Sequence, residues 1–186
     1  MKNVKAAVFA SGSGTNFQAI IERTDLPCEI ALLVSDNPAA PVLKKAEKAG
    51  ISTFVFDPKN YQSKYDYEQQ IVEILKQLEI DWVFLAGYMR LVGPTILNEF
   101  KSKIINIHPS LLPKFPGTDA IGQALKSGVN ITGVTVHYID EGIDTGPIIA
   151  QTSVEILPNE SRESLTERIQ NIEHQLYPEV IKQLIN

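Results

Sequence analysis

Five short apolar runs, each followed by a helix-like pattern, constrain the fold of this chain more than any other feature. The runs are Val4 to Ala10, Glu29 to Ser35, Thr53 to Phe56, Asp81 to Ala86 and Ile104 to His108. Short, nearly continuous apolar runs suit strands buried on both faces. After the first, Asn16 to Arg23 carries Phe17, Ile20 and Ile21 at helical spacing. After the second and its Asp36-Asn37-Pro38 turn, Pro41 to Ala49 reads as a helix ended by Gly50. Tyr67, Ile71, Ile74, Leu75 and Leu78 give the third helix an apolar face. Pro94 suits the first turn of a helix reaching Phe100, and Thr118 to Ser127 reads as another, with Gly128 beyond it.

Repeated β-α units imply a parallel sheet covered by helices on both faces. The pattern then changes. Ile131 to Ile139 and Pro147 to Ile156 read as long strands around a Gly-rich turn, with no room for a helix between them. Leu165, Ile169, Ile172, Leu176 and Val180 mark a terminal helix with Ser161 as its N-cap, and Pro178 is expected to kink or end its regular part. The expected fold is α/β: a mostly parallel, Rossmann-like open sheet with helices on both faces and an antiparallel C-terminal portion. No linker, internal repeat or low-complexity segment divides it, so 1–186 reads as a single domain.

Composition agrees with this and excludes several classes. At 186 residues and 44% hydrophobic content the chain can bury a sizeable core. No apolar run approaches the roughly 20 residues a membrane helix needs. The N-terminus enters a strand-like run with no small-residue cleavage site, so no secretory signal is expected. Cys28 is the only cysteine. It cannot form an internal disulfide, which fits a reducing cytoplasm, and its plainer role is as a packed small hydrophobe. A net charge of −5 without a long basic run does not favour nucleic-acid binding. Anionic substrates would have to be held by local donors.

Ligands of open sheets bind beyond the carboxyl ends of the strands, and three motifs fall there. Ser11-Gly12-Ser13-Gly14-Thr15-Asn16 follows a strand and opens a helix. Its glycines let backbone approach a phosphate, and the helix N-terminus offers free N–H groups. It lacks the Lys of a Walker loop and the spacing of a dinucleotide fingerprint; the alternative is a tight capped turn. Gly87-Tyr88-Met89-Arg90-Leu91-Val92 could line a pocket for a flat ring with Arg90 near an anionic group. The alternative is an ordinary connection with Arg90 solvated.

Asn106-Ile107-His108-Pro109-Ser110-Leu111-Leu112-Pro113 is the third motif and the one that most suggests chemistry. Asn106 and His108 are two apart on a strand and share one face. An amide donor beside an imidazole can stabilise an oxyanion and move a proton. Pro109 holds His108 extended, and Pro113 and Pro116 stiffen the loop beyond it. The alternative is a structural histidine bonded to backbone.

Asp140-Glu141-Gly142-Ile143-Asp144-Thr145-Gly146-Pro147 is acidic and glycine-rich, but its spacing is not that of an EF-hand, and no metal is expected. A carboxylate from it could pair with His108; the alternative is a solvated turn. No Cys/His cluster has metal-ligand spacing. His137 reads as a packed or surface strand residue, and His174 lies on the terminal helix beside Glu173.

Taken together, these motifs, with Glu173-His174, resemble the folate-dependent formyltransferases. The Asn-x-His-Pro-Ser-Leu-Leu-Pro run with a later Asp is specific to that chemistry and is shared with methionyl-tRNA formyltransferases and formyltetrahydrofolate deformylases. The early glycine loop favours the glycinamide ribonucleotide formyltransferases of purine synthesis. From its length the chain is expected to carry neither the extra tRNA-binding domain of the first relatives nor the N-terminal regulatory domain of the second.

The resemblance implies two neighbouring pockets. Gly14, Thr15 and Asn16 would hold a ribonucleotide phosphate and Glu173 its ribose. Met89, Arg90, Leu91 and Val92, with the Asp140 to Asp144 loop, would frame the pterin of 10-formyltetrahydrofolate. Lys64, where some members have Arg, would attract the folate tail without a bidentate fork. Asn106, His108 and Asp144 would form the catalytic group, with Asn106 and Asp144 also facing the folate. Residues 1–100 would form mainly the ribonucleotide half and 101–186 the catalytic, folate-facing half. The implied partners are small molecules only, the implied location cytoplasmic, and the implied assembly a monomer or homodimer.

Overall fold

The structure is a computed structural model and describes residues 3–186. It contains one seven-stranded sheet in the order β3-β2-β1-β4-β5-β6-β7. The strands are β1 (Lys5–Phe9), β2 (Glu29–Ser35), β3 (Ser52–Val55), β4 (Trp82–Leu85), β5 (Ile104–His108), β6 (Ile131–Tyr138) and β7 (Ile148–Glu155). The pairs among β1 to β5 are parallel, and β6 and β7 are antiparallel. The expected architecture is therefore present.

The helices are α1 (Thr15–Ile21), α2 (Val42–Lys48), α3 (Lys64–Gln77), α4 (Pro94–Glu99), α5 (Ala120–Ser127) and α6 (Arg162–Ile185). Phe17 and Ile20 of α1, Val42 and Ala46 of α2, and Leu165, Ile169 and Tyr177 of α6 pack on one face of the sheet. Tyr67, Ile71 and Leu75 of α3 and Ile96 of α4 pack on the other, in a cluster that contains no residue of β6 or β7. The helix cover is thus uneven. Among the described residues no helix packs on the second face beyond β5, and polar side chains of β5 and β6 can sit there without breaking a core.

Of the two outcomes expected at Pro178, a kink or an end, the second is corrected. Pro178 does not end the helix, which continues to Ile185. Proline removes one helical hydrogen bond, but Val180 and Ile181 in the next turn are 3% and 0% exposed. Their burial holds the final turns in place. Tyr177, fully buried, donates its hydroxyl towards the Leu85 and Ile105 carbonyls at 2.8 and 3.1 Å, fastening α6 to β4 and β5.

α5 begins at Ala120 rather than Thr118 because Asp119 adopts φ 53° and caps the helix, accepting from Gly122 N–H at 3.2 Å. Gly14 at the start of α1 has φ 74°, and a Cβ there would lie 2.3 Å from Val42 Cγ2. Only glycine satisfies both the left-handed backbone and the close approach of α2.

Candidate active site

The strand order reverses between β1 and β4, which makes their carboxyl ends the crevice where an open parallel sheet binds ligands. A cavity of about 1020 Å³ opens there. Gly14, Thr15, Asn16, Met89, Arg90, Leu91, Val92, Asn106, His108, Asp140, Asp144 and Glu173 all line it. Both halves of the chain contribute to this one space. Lys64 is not among its lining residues. Its ammonium donates to the Leu91 carbonyl and lies 3.7 Å from Glu68, a carboxylate buried against the Gly93 N–H at 2.9 Å.

Ile105 and Ile107 point into the core beneath α6, so Asn106 and His108 face the other side of β5. Antiparallel register sets His137 of β6 directly opposite Asn106. His137 is fully buried, and its Nδ1–H donates to the Tyr138 carbonyl at 2.9 Å. Burial lowers its pKa, the Tyr138 carbonyl and Asp144 opposing. The neutral ring therefore presents Nε2 as an acceptor, and Asn106 Nδ2 donates to it at 3.4 Å. One amide hydrogen of Asn106 is thereby aimed at His137, and the second is left for the cavity. Of the packed and surface roles expected for His137, the structure has the packed one, and neither includes this contact. Only strand pairing brings the two residues together.

His108 is 6% exposed and its Nε2–H donates to the Phe115 carbonyl at 2.8 Å. The backbone bond considered as a structural alternative is therefore real, but it engages only one nitrogen. Nδ1 lies 3.5 Å from Asp144 Oδ2, which also accepts Gly117 N–H at 2.8 Å. Asp144 Oδ1 lies 3.6 Å from His137 Nε2. One carboxylate thus sits between two imidazoles, each of which has its other nitrogen on a backbone carbonyl. The proline-rich loop after His108 is held by Thr135 Oγ1, which donates to Ser110 O at 2.7 Å and accepts Leu112 N–H at 3.1 Å.

At the other end of the cavity, Asn16 Nδ2 donates to Glu173 Oε2 at 3.3 Å. Glu173 is 8% exposed. Burial raises its carboxyl to about 7, the Asn16 bond opposing. The buried Asn16 Oδ1 has no partner, so this corner holds an unsatisfied acceptor beside a protonatable acid. Along the wall, Met89, Leu91 and Ile143 are exposed apolar side chains, a surface suited to a flat ring. Arg90 is not simply solvated. It pairs with Asp36 at 2.8 Å, a residue whose sequence context marks only a turn.

Among the described residues, no group of three or more His, Cys, Asp or Glu is placed to hold a metal ion. No described helix is long and apolar enough to cross a membrane.

Comparison with known proteins agrees with this geometry. The chain is 53% identical to a phosphoribosylglycinamide formyltransferase of Bacillus subtilis over 97% of this chain and 94% of that protein. Its fold matches glycinamide ribonucleotide transformylase 1 from Geobacillus kaustophilus with a TM-score of 0.97 and 57% identity, covering 100% of both chains. A phosphoribosylglycinamide formyltransferase from Bacillus halodurans matches with a TM-score of 0.96 and 52% identity, over 98% of this chain and 95% of that one. Residues 4–181 match the formyl transferase family, and the chain belongs to that family as an enzyme of formyl transfer in purine biosynthesis.

Proposed function

We propose that the chain moves a formyl group from 10-formyltetrahydrofolate to the amine of 5′-phosphoribosylglycinamide, in the de novo route to IMP. The observation that carries this reading is the convergence, in one cavity, of the Asn106, His108 and Asp144 group with the Gly14 to Asn16 loop and the apolar Met89 to Val92 wall. The Gly14-Thr15-Asn16 turn would hold the phosphate on the N–H groups of the first turn of α1. Glu173 would meet the ribose hydroxyls. Met89 to Val92 and the Asp140 to Asp144 loop would frame the folate ring, whose flat apolar faces suit the exposed Met89, Leu91 and Ile143 side chains. Lys64, bonded to the Leu91 carbonyl, would offer its remaining ammonium hydrogens to the folate tail.

The reaction is direct. The glycinamide nitrogen attacks the formyl carbon, and the carbonyl oxygen gains negative charge in a tetrahedral intermediate. Asn106 donates its remaining amide hydrogen to that oxygen. His108, protonated and held against Asp144, stabilises the same charge through its own. Both of its nitrogens already face protein groups, so in this conformation its contribution is electrostatic rather than a direct bond. Asp144 helps carry a proton from the attacking nitrogen to the departing folate nitrogen. No covalent enzyme intermediate is needed. In the same reading the protein works in the cytoplasm on small molecules, as a monomer or homodimer, with 1–100 mainly serving the ribonucleotide and 101–186 the catalytic group.

The test is a turnover assay with purified protein, following formyl transfer and formate release with and without the ribonucleotide. The expected result is turnover that requires the ribonucleotide. Formate release at the same rate without it would instead establish a hydrolase.

A further inference from the structure

Three loops meet at Asp36, just after β2, in a residue the proposed chemistry does not use. Its Oδ1 accepts the Ser11 hydroxyl at 2.5 Å, and its Oδ2 accepts Arg90 Nε–H at 2.8 Å. Ser11 Oγ accepts Met89 N–H at 2.9 Å, and Ser11 N–H donates to the Gly87 carbonyl at 3.0 Å. Asn37 Nδ2 donates to the Ser11 carbonyl at 3.3 Å. The Asp36 side chain is 7% exposed, against 40% for Arg90. A shielded carboxylate with both oxygens engaged holds its partners strongly, because its loss strands the buried Ser11 hydroxyl and frees Arg90 to water.

Ser11 opens the loop that reaches Gly14 to Asn16, while Met89 and Arg90 lie in the loop after β4 that carries the apolar wall. Asp36 is not a lining residue of the cavity. It bonds one residue of each loop, and Ser11 bonds both Asp36 and Met89, so a side-chain node is added to the Ser11 N–H to Gly87 carbonyl bond that also joins the two loops. We infer that Asp36 is a positioning residue that couples the two substrate loops, setting the ribonucleotide loop and the folate wall at one fixed separation. The assignment of substrates to those loops rests on the proposed function; the coupling of the loops does not.

The test compares Asp36→Asn and Asp36→Ala with the wild-type protein. Asparagine keeps the shape and an oxygen for Ser11 but loses the acceptor for Arg90; alanine loses both. Amide hydrogen exchange on ligand-free protein should rise about tenfold at residues 88–91 in Asp36→Asn, the size of one lost charged hydrogen bond. In Asp36→Ala the rise should extend to residues 12–16. In the transfer assay, Asp36→Ala should raise KM for both substrates by roughly tenfold while kcat stays within about twofold. Exchange changes confined to residues 35–38, or unmoved KM values with only a lower Tm, would overturn the coupling. Because exchange is read without ligand, a wild-type protein that transfers no formyl group would count against the substrate assignment alone.

Discussion

Asn106 and His137 face each other across the antiparallel β5–β6 pair, with the amide nitrogen 3.4 Å from Nε2 of a neutral, buried imidazole. This contact fixes which way the Asn106 amide points, which a donor to a developing oxyanion requires. Asn106→Ala should fold normally and lose on the order of 100-fold or more in kcat. His137→Ala should cost less in rate, because it loosens the donor without removing it. Steady-state kinetics beside circular dichroism separates the two.

Asp144 joins His108, His137 and the Gly117 N–H in one place. Asp144→Asn keeps an oxygen for Gly117 but removes the charge that faces His108. We expect kcat to fall roughly 10²- to 10⁴-fold with a near-native Tm. A loss of stability as large as the loss of rate would instead mark Asp144 as mainly structural.

Glu173 supplies a pH-dependent prediction. Its carboxyl is raised by burial from an ordinary 4.5 to about 7. Between those values the folded state holds a proton that the unfolded chain has released. Its contribution to stability is therefore full below about 4.5 and is lost as pH rises to about 7. Glu173→Gln should remove that part of the slope, gaining on wild type as pH rises from 4.5 to 8. Urea unfolding across that range measures it, and parallel curves for the two proteins would refute it.

Tyr177 bonds two strand carbonyls from inside the core. Tyr177→Phe leaves both without that donor and should cost about 1–3 kcal/mol. For a chain of this size each kcal/mol lowers Tm by about 2–4 °C. Activity at 25 °C should be preserved, since the hydroxyl lies outside the cavity. Calorimetry alongside the transfer assay checks both halves.

Much of the fold is legible in the sequence because the local signals are consistent. Glu29–Ser35 and Ile104–His108 are apolar runs bounded by turn residues, and both strands end where those signals fall. An end at Pro178 does not occur, because local propensity says nothing of the buried Val180 and Ile181 that carry α6 past it. Asn106 and His108 are legible from their shared strand face. The role of His137 is not, because it arises from a pairing between residues 31 apart in sequence. Asp36 and Glu68 carry no motif; each becomes informative only when another loop lands on it. Lys64 enters only through the family resemblance, and its sequence neighbours do not reveal the Leu91 carbonyl to which it donates.

The most direct test follows the formyl carbon itself. Purified protein would be given 10-formyltetrahydrofolate labelled with ¹³C in its formyl group, together with 5′-phosphoribosylglycinamide. The account predicts that the label appears on the glycinamide nitrogen in step with loss of the formyl group from folate, and that Asn106→Ala slows both together. Label recovered only as formate, at a rate indifferent to the ribonucleotide, would contradict it.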